Sequence, residues 1–411
     1  MTLFRIAFRN IFKNWRRSMI TMLSIAFGFM AVVIFKGYTH NSYDQITIAA
    51  IFIEGPGHFT VYKKGFLKNG RIAPEKYLLT AGEVARVEAF LAKEPGVLWS
   101  APKLGLSGLI TNGRVSTIFL ADSIDPAKDQ KLWEFYTYGH RANNNLLPGG
   151  SPQGAMVAKE LAKILELPVG GDGVLMATTR SGQMNATDIT VAGVFPTITE
   201  AMDDKFIKIP LELARSLYDF DGADRVAVLL SDREATPLMR SQVEKGLASL
   251  GLEVETKSWE ENSLYYQKVK NYLDVVFLFI FTIVLVIVVM STTNTMSMAV
   301  YERTREIGTL RAIGLKPAGV VRIFAMEGGL LGFFGSLLGS VFSILGVLAL
   351  KLANLTYSPP GIAAKVAIKV DLVPQVFLAS LAFFVFLSVI SAALPAIRAA
   401  RQNIVDALGH V

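Results

Sequence analysis

The chain has 411 residues, 52% of them hydrophobic and 18% charged. With a mean hydropathy of +0.41 it is too apolar for an ordinary water-soluble protein, and much of it belongs in a lipid bilayer. It has no cysteine, which excludes disulfides, thiolate nucleophiles and cysteine-metal sites. The formal charge of +7 is uneven: residues 40–271 hold 28 of the 34 acidic residues but 25 of the 41 basic ones. The basic excess therefore lies in the rest of the chain, where it suits anionic membrane lipids and gives no reason to expect a nucleic-acid partner.

Residues 1–18 come first in chain order. On a helical wheel Phe4, Phe8, Phe12 and Trp15 fall together, and Arg5, Arg9, Lys13 and Arg16 take another side. That is an amphipathic helix fit to lie in the headgroup layer. An apolar run at 19–39 follows, long enough to cross about 30 Å of hydrocarbon. No small-x-small cleavage pattern closes it after Phe35, which argues for a membrane span over a signal peptide.

The segment 40–271 alternates turn signals with short periodic stretches. Helices are expected at Glu83 to Lys93, Ala155 to Leu165, Pro210 to Tyr218 and Pro237 to Leu250. Extended stretches are expected at Val97 to Leu106, Val115 to Ala121, Val174 to Thr179, Asp188 to Val194, Phe206 to Ile209, Arg225 to Leu230 and Leu252 to Lys257, with a hairpin around Gly182. This is an α+β domain, large enough to fold on its own core without disulfides.

A second apolar run at 272–299 leads into the charged, helix-compatible loop 300–319. There Glu302 and Arg305 are spaced to pair on a helix surface. Ile307, Leu310 and Ile313 form an apolar side that a short exposed helix has no use for unless a partner covers it. Gly314, followed by Leu315, Lys316 and Pro317, ends the helix. The third run, 320–351, carries Gly328, Gly332, Ser336 and Ser340 at every fourth residue beside a second row with Gly335 and Gly339. Small residues at this spacing let helices approach closely in lipid, without saying whether the partner helix is in this chain or another. Asp274 and Glu327 stand at the ends of runs, where anchoring at the interface is the expected role. After the short loop 352–375, a fourth run at 376–396 precedes the tail 397–411.

Orientation follows from Lys and Arg, which crowd before the first run and between the second and third. By the positive-inside rule both segments and the tail lie in the cytoplasm, and 40–271 and 352–375 lie outside. The expected fold class is an α-helical membrane protein with four transmembrane helices and an α+β extracytoplasmic insert. Enzymatic signatures are missing. His40, His58, His140 and His410 have no metal-ligand spacing, and Asp203, Asp204, Asp219, Asp221 and Asp224 lack the pattern of a calcium loop. There is no Gly-x-Ser-x-Gly motif and no phosphate-binding loop of the G-x-x-x-x-G-K-[ST] kind.

The stretch Tyr301 to Gly314 resembles the cytoplasmic coupling segment of ABC-transporter permeases of the MacB, LolC, LolE and FtsX kind. Within the insert Gly57 to Tyr62, Val157 to Lys163, Val191 to Phe195 and Ile207 to Pro210 resemble, in the same order, stretches of the MacB and LolC/LolE periplasmic region. The resemblance covers nearly the whole chain. LolC carries a longer protruding hook where this chain has the short turn around Gly182. The resemblance implies a porter-like α+β subdomain interrupted by a smaller β-rich one, in a bacterial inner-membrane protein with periplasmic insert and cytoplasmic termini. It implies Glu302, Arg303, Arg305, Glu306, Ile307, Leu310, Arg311 and Gly314 as the residues coupling the chain to a cytoplasmic ABC ATPase dimer. It further implies a second permease copy or paralogue, meeting this one through the first two spans. The chain itself is then no enzyme and holds no cofactor; ATP and Mg belong to the ATPase. The expected function is conversion of ATP hydrolysis into motion of the periplasmic domains, for lipoprotein or other amphiphile export. The alternatives are drug or peptide efflux with a membrane-fusion protein, and a signalling subunit controlling envelope hydrolases. A periplasmic carrier, membrane-fusion protein or lipoprotein would be the further partner.

Overall fold

The computed structural model describes residues 8–10, 15–54, 56–70, 72–130, 132, 151–197, 199–357 and 366–402. Phe4, Arg5, Phe12 and Lys13 of the expected amphipathic helix lie outside them. The chain divides into two compact units. One comprises the residues up to Asp44, Val269–Thr356 and Ala367 onward; the other comprises Gln45–Lys268 with Tyr357–Val366.

Four helices among the described residues are long and apolar enough to cross a membrane. They are Trp15–Ile48, Leu264–Glu302, Pro317–Ala353 and Pro374–Ala400, called here the first to fourth long helices. They extend past the apolar runs because polar residues continue the helical hydrogen bonding outside hydrocarbon; the 39 residues of the second span roughly 58 Å at 1.5 Å per residue. Pro317 and Pro374 stand in first turns, where a missing N–H costs nothing.

In the first unit the third long helix packs by its small residues. A Cβ on Gly328 would stand 2.4 Å from the Ala392 Cβ and one on Gly332 2.9 Å from that of Ser388, both on the fourth helix. A Cβ on Gly335 would stand 2.8 Å from the Ile25 Cβ, and one on Gly339 2.8 Å from the Ala26 carbonyl, both on the first. The partner helices thus lie in this chain. Ser336 is fully buried, and Ser340, half-buried, returns its hydroxyl to the Ser336 carbonyl. Phe29 packs its ring against Phe377, edge-on, and Phe384, tilted, both on the fourth helix and each with ring centres 5.9 Å away. Thr21 and Thr295 share a buried hydrogen bond of 2.6 Å between the first and second helices.

Among the described residues of segment 45–268 the strands are β1 Phe59–Lys63, β2 Val97–Lys103, β3 Gly105–Thr111, β4 Ser116–Ile124, β5 Gly154–Ala158, β6 Asp172–Thr178, β7 Met184–Phe195, β8 Phe206–Pro210, β9 Arg225–Leu230 and β10 Val254–Ser258. An antiparallel sheet in the order β10-β1-β9-β2 carries the helices Ala81–Leu91 and Thr236–Ser249, which bury Val84, Val87, Leu91, Met239, Val243 and Leu247 against it. Thr80 starts the first of these with a capping box to Glu83. The other six strands close a barrel, β3-β4-β8-β5-β7-β6, around Ile110, Phe119, Val157, Leu175, Ile189 and Ile207.

Two expectations change here. The stretch 155–165 is not one helix: Gly154–Ala158 is a barrel strand and only Lys159–Ile164 is helical. All five strand residues are buried, and such an apolar run gives no period by which to tell strand from helix. The extended stretch 97–106 breaks at Leu104 into β2 and β3, so it passes from the sheet to the barrel. Charges gather at that passage: Lys103 pairs with Asp129 at 2.5 Å, and Arg225 with Asp122 at 2.6 Å and Asp224 at 2.8 Å.

Candidate coupling site

The loop between the second and third long helices folds as a helix of its own, Thr304–Ala312. Arg303, with φ −113° and ψ 14°, ends the preceding helix, and the Thr304 hydroxyl donates to the Val300 and Tyr301 carbonyls, each at 3.0 Å. At the other end Gly314 takes φ +102°. Its N–H donates to the Arg311 carbonyl and the Leu315 N–H reaches back to that of Leu310, both at 3.0 Å. These are the two bonds of a Schellman cap, which needs a left-handed residue at the glycine position.

The short helix has two faces. Thr304, Ile307 and Gly308 are buried, and Ile307 joins Met296, Val300, Val320 and Phe324 in one apolar cluster. This corrects the expectation that Ile307 shares the outward apolar side: it fastens the helix to the long helices beneath. Leu310 and Ile313 remain outside, 38% and 78% exposed, beside exposed Arg305 and Glu306.

The charges also pair differently from the expected Glu302–Arg305 contact. Glu302 binds Arg17 of the first long helix, through Nη2 at 2.6 Å and Nη1 at 3.2 Å. Arg303 donates from Nε to Glu306 at 3.2 Å and from Nη1 to Glu327 at 2.9 Å. Its guanidinium also sits 5.2 Å from the centre of the Phe324 ring. Glu327 is 3% exposed and accepts a second bond, of 2.6 Å, from the Asn10 amide. It lies within the third helix, buried among polar side chains from two other segments. Arg311 donates to the Gln402 carbonyl at 2.5 Å. A polar cavity of about 250 Å³ opens beside these pairs, lined in part by Arg17, Glu302, Arg303, Glu306 and Glu327. The one sequence signal for Glu327 was a lone acid at the edge of an apolar run, which marks a paired or functional site in membranes.

Of the described amphipathic residues, Phe8 is 40% exposed with its ring 6.3 Å from that of Phe334. Arg9 is exposed, and Trp15 is exposed with the Arg16 guanidinium 5.7 Å from its ring centre.

Two family profiles match this architecture. The FtsX-like permease C-terminal region matches residues 278–404, which contain the short helix and its supports. The MacB-like periplasmic core domain matches residues 18–245, more than half of the chain. The chain belongs to the MacB-like family of ABC transporter permeases. The LolC lipoprotein-releasing transmembrane protein of Neisseria meningitidis is 26% identical to this permease over 62% of each chain. The uncharacterized permease MJ1507 of Methanocaldococcus jannaschii is 27% identical over 53% of this chain and 54% of its own length. The match to these two therefore spans less than two thirds of either relative. The uncharacterized permease YvrN of Bacillus subtilis is 24% identical over 99% of this chain and 98% of its own. The periplasmic region of MacB from Actinobacillus actinomycetemcomitans covers 53% of this permease at 16% identity, with 96% of its own length covered and a TM-score of 0.35, too slight a likeness to add weight.

Proposed function

We propose that this permease converts ATP hydrolysis by a separate ABC ATPase dimer into motion of its α+β domain, and that its cargo is a lipoprotein or similar amphiphile. The observation that carries the first half is the short helix 304–312, with one face locked into the long helices and Leu310 and Ile313 left outside. A protein groove that covers those two side chains gains apolar burial, and a push on the helix passes to the long helices through Ile307, Arg17 and Arg303. Glu302, Arg305, Glu306, Arg311 and Gly314 frame that contact. The excess of Lys and Arg around this helix supports a cytoplasmic side for it and both termini, and with that a periplasmic place for residues 45–268 of a bacterial inner-membrane protein. A second permease copy or paralogue completes the membrane core.

Motion fits better than conduction. The hydroxyls of Ser24, Thr282, Ser340, Ser343, Ser388 and Ser391 all return to carbonyls four residues earlier in their own helices. These six hydroxyls are satisfied within their own helices, which supports motion over conduction. The cargo class rests on the relatives named for lipoprotein release. The test uses the permease and its ATPase in proteoliposomes loaded with a triacylated lipoprotein. With a soluble acyl-chain-binding protein added, ATP should move lipoprotein into the soluble fraction. Hydrolysis that leaves the lipoprotein in the membrane while a small amphiphilic drug is moved would replace this cargo with the efflux reading.

A further inference from the structure

The outward face of helix 304–312 explains where a partner pushes, but not how a nine-residue helix resists being pushed aside. Its apolar anchor is modest: Ile307 is its single large buried side chain. The stronger tie is ionic. Arg303 stands at the joint between the second long helix and the short one, and its guanidinium forks to two carboxylates, Glu306 on the short helix at 3.2 Å and Glu327 on the third long helix at 2.9 Å. Only 17% of the Arg303 side chain and 4% of that of Glu327 are exposed. An ion taken that far from water is held firmly to its partner, because losing the partner leaves a buried charge without compensation. Asn10, on a separate segment, donates to the same Glu327 oxygen that Arg303 holds, Oε1, at 2.6 Å. The neighbouring pair Arg17–Glu302, by contrast, is about one third exposed on both sides and weaker for it.

From this geometry we infer that Arg303 and Glu327 are a positioning pair, the strut that passes force from the coupling helix to the third long helix. The inference rests on reading helix 304–312 as the coupling element. Neither residue touches the partner ATPase in this account; both act through the helix they hold.

The experiment compares Arg303→Glu, Glu327→Arg, the milder Glu327→Gln and the double swap Arg303→Glu with Glu327→Arg, each as the full chain with its ATPase. Three quantities are read: ATPase co-purification, cargo moved per ATP hydrolysed, and amide hydrogen exchange over residues 307–312. The single variants should retain the ATPase, move several-fold less cargo per ATP, and exchange at least about tenfold faster over the short helix, since local opening sets that rate. The swap should restore both quantities most of the way. Exchange and coupling unchanged in all single variants would overturn the strut, and so would a swap as impaired as its components. Failure of the underlying reading looks different: Leu310→Ala would then leave ATPase binding unchanged, whereas failure of the strut alone leaves Leu310→Ala defective and the Arg303 and Glu327 variants normal.

Discussion

Buried His58 and half-buried Glu54, both outside the long helices, show how single groups set the stability of the α+β domain. The His58 Nδ1 accepts the Leu230 N–H at 2.9 Å, so the ring must stay neutral, and burial lowers its pKa to about 4. An unfolded chain takes up that proton near 6.5, so stability is complete above 6.5 and lost as the pH falls toward 4. Glu54 works in the other direction. Burial raises its pKa to about 7, whereas the unfolded carboxyl ionises near 4.5; stability is complete below 4.5 and lost as the pH rises through 7. Glu54→Gln should therefore raise stability at pH 8 by up to about 3 kcal/mol and change little at pH 4. Thermal unfolding of the full chain in detergent across that range checks this, and a variant whose profile runs parallel to the wild type contradicts it. Neither environment can be read from the sequence, because both depend on strands far along the chain closing over the residue. Ile307 teaches the same lesson. The row Ile307, Leu310, Ile313 is visible as an apolar side, but only the long helices decide that Ile307 turns in while the other two stay out.

At the scale of elements, legibility followed periodicity. The strand Arg225–Leu230 and the helices 81–91, 211–218 and 236–249 lie within a few residues of where alternation and helical spacing put them. The buried strand Gly154–Ala158 has no alternation and reads as the start of a helix. The four long helices were visible as apolar runs, and the glycine rows on the third were visible as packing surfaces. What those rows pack against was not, because spacing carries no information about the neighbour. Their close approach makes a sharp comparison. Gly328→Ala places a methyl 2.4 Å from the Ala392 Cβ and 2.7 Å from the Ser388 carbonyl, where neither can yield easily. Gly329→Ala meets only the Val389 Cγ2, at 3.2 Å. The first should destabilise the helix pair by about 1–3 kcal/mol, as overpacking does, and the second should be near neutral. Detergent melting of both variants measures this; equal midpoints would mean that the third and fourth helices are not packed this closely.

For the whole molecule the claims concern topology and coupling. The chain contains no cysteine, so single cysteines report cleanly on sidedness. Cysteines at Ser151 and Ser231 should react with an impermeant thiol reagent in intact spheroplasts, and one at Thr309 should not. Labelling at Thr309 with the other two silent would invert the orientation. The central claim, that helix 304–312 is where an ABC ATPase engages the permease, is tested most directly by ATPase co-purification and reconstituted turnover with Leu310→Ala, Glu306→Lys and Gly314→Val. Removing Leu310 from a covering groove forfeits roughly 2–4 kcal/mol, reversing Glu306 at an interface costs about as much, and valine at φ +102° is strained enough to unseat the helix cap. The account predicts that the first two lose most of the bound ATPase and that all three lose turnover. Wild-type binding and turnover in all three variants would contradict it.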